Sequence, residues 1–151
     1  MRQLDIGTAL SVIFEMPEFL KTLGFNNEPM WSISDANVSE LEACLERPFQ
    51  TFNGTELYPS AANKAAVLFY QIAKGHKLEN GNKRTAVVLT LMFLFVNNLW
   101  LDMSSDAMYD LALSTANSKA KDKEVVMSKI EKVFGDHIKK ISLLDKLFRQ
   151  I

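Results

Sequence analysis

The feature of this chain that most limits its fold is an apolar segment from Asn82 to Asn98, which is hydrophobic on nearly all sides after Thr85. A helix that is apolar around its whole circumference has to be surrounded by other elements, so the segment predicts the central helix of an all-helical bundle. Its most hydrophobic part, Ala86 to Val96, falls well short of the ~20 residues that a membrane-spanning helix needs. We therefore expect a buried core helix and no membrane segment.

Helical patterns flank the central segment on both sides. An imperfect apolar stripe that includes Phe14, with Pro17 as a kink or break and Gly24 as a C-cap, predicts a first helix from about Asp5 to Leu23. Ser39 and Glu42 have the spacing of a capping box, which predicts the start of a short helix that ends at Pro48. Further helices are predicted over about Ser60–Lys74 (closed by Gly75), Asp106–Asn117 (capped by Ser105), Asp122–Phe134 (ended by Gly135) and, as an amphipathic helix that packs on its own domain, about 136–151.

The pattern changes between Phe49 and Tyr58. The pair Asn53-Gly54 stands between two stretches rich in aromatic residues and threonine, and it supplies the positive φ angles of a tight primed turn. The sequence therefore predicts a small β-hairpin among the helices. The pattern alone fits an ordinary surface turn as well as a functional flap.

Composition and charge restrict the class of protein further. The 151 residues suit one domain, so we expect a single domain over residues 1–151. A net charge of −1 gives no reason to expect direct nucleic-acid binding, which usually needs a basic surface. Cys44 is the single cysteine, so no internal disulfide can form, as expected for a protein of the reducing cytoplasm. We expect Cys44 to be a small buried side chain.

The segment from His76 to Thr85 is the candidate for chemistry. Gly81 and Asn82 open the central helix, and the cations Lys83 and Arg84 occupy its first turn. Cations are disfavoured at a helix N-terminus, where the unpaired N–H groups already present positive charge. A bound anion would offset this conflict.

Each residue type in the segment suits a phosphate. Gly81 lets the backbone approach the anion closely, and Arg84 can form a bidentate contact with phosphate oxygens. His76 lies near enough in sequence to accept a proton in the same place. These arguments predict a phosphate site with a base. An equally good interpretation is that Lys83 and Arg84 are solvated and that His76 bonds to a loop carbonyl.

The same segment resembles the motif His-x-Phe-x-(Asp/Glu)-(Gly/Ala)-Asn-(Gly/Lys)-Arg of the Fic/Doc (death-on-curing) family. The resemblance covers residues 38–101, with looser agreement on to Phe134. Other family elements occur in the expected order: Leu45-Glu46-Arg47-Pro48, Tyr58-Pro59, Lys64-Ala65-Ala66 and, at the end of the central helix, Asn97-Asn98.

Within this family the chain resembles the Doc branch. Adenylylating Fic proteins have Gly at the position of Lys83 and a second Arg at the position of Val87. The resemblance therefore implies transfer of a phosphate from ATP or another nucleoside triphosphate, with transfer of AMP as the alternative. It also implies a target such as elongation factor Tu, phosphorylated at a threonine. A small antitoxin is the implied inhibitor, because the chain lacks the internal inhibitory Ser/Thr-x-x-x-Glu-Gly helix of some Fic proteins.

The resemblance assigns a role to each matching residue. His76 would be the general base that activates the target hydroxyl. Gly81 would form the anion hole, with Asn82, Lys83 and Arg84 holding the phosphates. The hairpin would be the flap that docks the target by strand pairing, through Thr51, Phe52, Asn53, Gly54 and Thr55.

Two positions depart from the family motif. Leu78 replaces a Phe that anchors the loop in the core, an apolar exchange that should cost little. Asn80 replaces the acid that holds Mg²⁺, and a neutral oxygen should bind this cation more weakly. Asn80 could still ligate with lower activity, Glu79 could substitute for the acid, or the protein could be a binding module without catalysis. Reduced catalysis is the favoured expectation.

Overall fold

The computed structural model of the protein describes residues 1–22, 33–75, 78, 81–142 and 145, with side chains described from residue 1 to 15 and in the later ranges. Within these ranges the chain is mostly helical, which confirms the predicted fold class. None of the described helices has both the length and the hydrophobicity that crossing a bilayer requires. The helices are α1 (Ile6–Thr22), α2 (Asp35–Glu46), α3 (Ala61–Lys74), α4 (Asn82–Val96), α5 (Ser105–Asn117) and α6 (Lys123–His137), and the strands are β1 (Thr51–Phe52), β2 (Thr55–Glu56), β3 (Leu99–Leu101) and β4 (Ile138–Lys140).

Helix α4 lies at the centre, as its all-round hydrophobicity predicts. It packs against α1, α3, α5 and β3, and none of its residues is exposed. Helix α3 is its main partner and also packs against α2, α5 and α6. Two edge-to-face ring contacts mark this core: Phe69 of α3 with Phe134 of α6, at 5.4 Å between ring centroids, and Phe49 with Phe93 of α4, at 6.2 Å. Other helices therefore surround α4, as the sequence predicts.

The predicted start of α3 is confirmed by its cap. The Ser60 hydroxyl accepts the Asn63 N–H at 3.0 Å, and the Asn63 side-chain oxygen accepts the Ser60 N–H at 3.3 Å. Gly75 is the C-cap, as predicted. Each partner satisfies an N–H group that the helix itself leaves without an acceptor.

The predicted cap of α2 is wrong. The same reciprocal arrangement forms between Ser34 and Asn37, so the helix begins at Asp35, and Ser39 and Glu42 lie inside it. Helix α5 differs in a smaller way, because its cap is Ser104 and not Ser105. The apolar side of α2 is as expected: Leu41, Cys44 and Leu45 are all buried.

Helix α1 begins next to Asp5, as predicted. The Thr8 hydroxyl and N–H both donate to the Asp5 carboxylate, at 2.7 and 2.9 Å, and these bonds lower the pKa of Asp5 from its ordinary value. The predicted apolar stripe is partly wrong, because Ile13 is buried but Phe14 is 58% exposed. The helix continues through position 17, and the predicted C-cap Gly24 lies outside the described residues.

The region after α6 corrects the predicted last helix. Helix α6 runs past Gly135 to His137, and the chain then forms β4 in place of a helix that begins at residue 136. Strand β4 pairs antiparallel with β3, with Trp100 opposite Lys139. The ladder extends by one bond at each end, from Asp102 N–H to the His137 carbonyl and from Ile141 N–H to the Asn98 carbonyl, both 3.0 Å. Most of the remaining predicted helix lies outside the described residues.

Candidate active site

The N-terminus of α4 has the geometry of an anion site. Gly81 is its N-cap residue and adopts a left-handed conformation, with φ 75° and ψ 11°. Because glycine has no side chain, it provides no side-chain cap to the first turn. Its carbonyl accepts the Thr85 N–H at 2.9 Å, which starts the helical hydrogen-bond pattern. The first-turn N–H groups therefore point toward the loop without a cap from the residue that usually supplies one.

The side chain of Asn82 fixes the loop that precedes α4. Its oxygen accepts the Leu78 N–H at 2.9 Å, and its nitrogen donates to the Leu78 carbonyl at 2.8 Å. The predicted role of Asn82 in holding phosphate stays a prediction, and the structure narrows it. The side-chain nitrogen has two N–H groups and uses one of them for Leu78, so its second N–H and the backbone N–H of Asn82 are the groups that could face an anion.

Leu78 anchors this loop, as its place in the motif predicts. Its side chain is 3% exposed, so leucine fills the buried position where the family has phenylalanine. The loop is also tied down just before it begins, because the Lys74 ammonium donates to the carbonyls of Ala116 and Ser118 at the end of α5, at 3.1 Å for Ala116. The predicted base His76 and the predicted metal position Asn80 lie outside the described residues, as do Lys77 and Glu79. Their roles stay predictions.

Lys83 and Arg84 both lie in the first turn of α4 and are half-buried. Together with the N–H groups they form a set of donors, which suits phosphate oxygens and does not suit a cation. Among the residues with described side chains, no cluster of three or more His, Cys, Asp or Glu could hold a metal ion. What is described of the site therefore suits phosphate oxygens, and the predicted Mg²⁺ position at Asn80 lies outside the described residues.

The predicted β-hairpin is present. Strands β1 and β2 pair with Thr51 opposite Glu56 and Phe52 opposite Thr55. Asn53 and Gly54 form the turn with φ angles of 49° and 77°, as a primed turn requires. All strand residues are exposed, including Phe52 at 68%. The hairpin leaves its edges open to another strand, and its docking role stays a prediction.

The structure places the base of the hairpin at some distance from the anion site. Phe49, just before β1, contacts Phe93, which is twelve residues after Gly81. At 1.5 Å per residue this corresponds to about 18 Å along the axis of α4. Gly81, Asn82, Lys83 and Arg84 are thus brought together at one end of the helix, while the hairpin starts near the other end.

Lys64 is a residue that sequence reasoning recorded only as part of a motif. It lies in the first turn of α3 and is 2% exposed. Its ammonium donates to the Pro48 carbonyl at 3.1 Å and to the Glu56 carboxylate at 2.9 Å, and it lies 5.0 Å from the centroid of the Phe49 ring. The sequence feature that could have revealed its burial is its position, since this lysine occurs at helical spacing on the apolar side of α3.

Comparison with known proteins gives one matching family and one similar protein. The model of the Fic/DOC family matches residues 13–94, more than half of the chain. The chain is 37% identical over 78 residues to the protein named Toxin Doc from Mycolicibacterium smegmatis, which is 48% of this chain and 60% of that protein. The matched part thus spans less than two thirds of this relative. No solved structure gives a significant match.

Proposed function

Because the chain belongs to the Fic/DOC family, we propose that it is a Doc-like toxin that transfers a phosphate from a nucleoside triphosphate to a hydroxyl of a target protein. The observation that carries the proposal is the N-terminus of α4. A left-handed glycine opens the helix without a side-chain cap, and two cations follow in the first turn. Such an end attracts the charge of a phosphate group, which compensates for the placement of Lys83 and Arg84.

The proposed reaction needs few protein groups. The target hydroxyl oxygen attacks the γ-phosphorus, the bond from this phosphorus to the β–γ bridging oxygen breaks, and the diphosphate leaves. His76 accepts the hydroxyl proton. The first-turn N–H groups, Lys83 and Arg84 stabilise the charge on the transferred group, which is the main task in phosphoryl transfer.

Mg²⁺ is proposed as the metal ion that neutralises phosphate charge, and Asn80 would be its weakened protein ligand. A neutral amide oxygen attracts the ion less than the carboxylate of the family motif, so a higher Mg²⁺ concentration should be needed. This substitution also supports a second candidate function, a Fic/DOC binding module with little or no transfer. Transfer of AMP is a further alternative, and Lys83 and Val87 weigh against it.

The proposed partners follow from the relative named as a toxin and from the family resemblance. A small antitoxin is proposed because that relative is named a toxin. A protein substrate, with elongation factor Tu as the first candidate, and a cytoplasmic location are proposed from the resemblance of the sequence to the family. The paired hairpin with exposed edges supports the substrate part of the proposal, because an extended segment can add to an open strand edge through main-chain hydrogen bonds.

The test follows transfer from ATP labelled separately at the α- and γ-phosphates, with purified elongation factor Tu and with a bacterial extract. We expect γ-label on a protein, reduced about 100-fold or more by His76→Ala, since loss of a general base has that effect. His137→Ala is the matched control, because His137 is exposed in the last turn of α6. We expect it to transfer like the unchanged protein.

Other outcomes of this test would support one of the alternative functions. α-Label that depends on His76 would establish AMP transfer. A further arm uses Asn80→Asp, which should increase transfer and lower the Mg²⁺ concentration for half-maximal rate. If neither the unchanged protein nor Asn80→Asp transfers label while both remain folded, the binding-module function replaces the transferase.

A further inference from the structure

Lys64 is a cation enclosed by protein. A charge removed from water is costly unless it is paired and hydrogen-bonded, so the partners of Lys64 have to compensate for its burial. The Pro48 carbonyl, the Glu56 carboxylate and the Phe49 ring together provide this compensation. All three belong to one stretch of chain, the segment that leads into the hairpin and the hairpin itself.

The hairpin has little else to hold it in one orientation. Each of its strands has two residues, all of them exposed, and an isolated two-stranded hairpin is marginally stable in water. One further bond, from Leu57 N–H to the Gln50 carbonyl at 3.0 Å, closes its base. The bond from Lys64 to Glu56 differs from these, because it joins β2 to helix α3 in the core.

We propose that Lys64 is a positioning residue that fixes the hairpin on α3 through Glu56 and the Pro48 carbonyl, and that this sets the affinity for the target protein. A target that adds to a strand edge needs that edge at a defined place relative to the phosphate at α4. A hairpin free to rotate about its base would lose orientation entropy on each binding event. The part of the proposal that concerns affinity rests on the proposed transferase function. The part that concerns hairpin order does not.

The test uses Glu56, because its side chain is half-exposed and its truncation therefore opens no cavity in the core. Three variants are compared with the unchanged protein: Glu56→Ala, Glu56→Gln and, as a matched control, Glu124→Ala at an exposed carboxylate of α6. The measurements are the hydrogen-exchange rate of the Leu57 amide in the free protein, the melting temperature, and the KM and kcat for purified elongation factor Tu at saturating ATP.

For Glu56→Ala we expect Leu57 exchange and target KM each to rise about three- to fivefold with kcat unchanged, the size expected for a pair with one exposed partner. The melting temperature should fall, because the buried Lys64 ammonium loses its charged partner. Glu56→Gln should give an exchange rate and a KM between those of Glu56→Ala and of the unchanged protein, since its amide oxygen still accepts a hydrogen bond from Lys64. Unchanged exchange overturns the proposal, and a higher KM with unchanged exchange would instead mean that Glu56 contacts the target directly. If the unchanged protein transfers nothing, the proposed function fails while the exchange rates alone still decide whether Lys64 orders the hairpin.

Discussion

At the scale of single residues, Asn82 is the side chain on which the candidate site depends most. Its amide forms a two-bond ring with the backbone of Leu78, as a neighbouring peptide group would. Asn97 at the other end of α4 forms the same ring with Arg2, at 2.6 and 2.9 Å. Both ends of the central helix are therefore joined to another part of the chain by an asparagine.

We expect Asn82→Ala to lower the free energy of unfolding by about 1–2 kcal/mol, because it leaves the Leu78 N–H and carbonyl without partners in a partly buried place. The measurement is urea denaturation. Asn117→Ala, at an exposed position of α5, is the control and should change stability by less than about 0.5 kcal/mol. An Asn82→Ala protein as stable as this control would contradict a structural role for the ring.

The same residue shows what the sequence could and could not predict about the site. Gly81, Lys83 and Arg84 stand out in the sequence because each has a residue type that conflicts with an ordinary helix start or suits a phosphate, and their roles in binding phosphate stay predictions. The bond from Asn82 to Leu78 was not recognisable, since an asparagine in this place reads equally well as a phosphate ligand. The role of Lys64 was not recognised for a related reason: a lysine in a helix is usually solvated, and the partners of Lys64 come from residues 48–56, outside its own helix.

At the scale of elements, the hairpin turn gives a direct test of local geometry. Gly54 has a φ of 77°, and no atom lies within 4 Å of where a Cβ would stand, so the cost of Gly54→Ala is purely conformational. We expect a loss of about 1 kcal/mol of hairpin stability, measured as faster exchange of the Leu57 amide.

Gly135→Ala is the matched substitution in a helix. Its Cβ would stand 4.0 Å from the Ala62 Cβ, an ordinary contact, and alanine favours a helix over glycine. We expect Gly135→Ala to raise the free energy of unfolding by about 0.5–1 kcal/mol. If Gly54→Ala and Gly135→Ala changed stability equally and in the same direction, the assignment of backbone strain to the turn alone would be contradicted.

Element boundaries were predictable where the signal is local. Three features show this: the cap of α3, the end of α4 at Asn97 and the Asn53-Gly54 turn. Each depends on residues that are only a few positions apart in the sequence. Two Ser-x-x-polar patterns compete at α2, and the earlier one caps the helix. Gly135 did not end α6, because it does not adopt the positive φ of a glycine that caps a helix C-terminus. Strand β4 could not be predicted from its own residues, since its partner residues in β3 lie 37 to 41 positions earlier in the chain.

At the scale of the whole molecule, the β3–β4 sheet joins distant parts of the described chain. Strand β3 follows α4 and strand β4 follows α6, so the two ends of the segment 102–137 lie next to each other. The side chains of Lys139 and Asp102 form an ion pair beside it. Helices α5 and α6 between the strands both pack against α3, so the sheet closes a loop that is already attached to the core.

This closure has a consequence for the order in which the protein folds. Helices α3 and α4 are separated by a loop of few residues and can meet early, whereas β3 and β4 must bring together segments with two helices between them, and closing a longer loop costs more entropy. We expect the Ile141 and Asp102 amides to be among the last to gain protection in pulse-labelled refolding. Early protection of these amides would mean instead that the sheet nucleates the chain, and that the two helices between its strands dock afterwards.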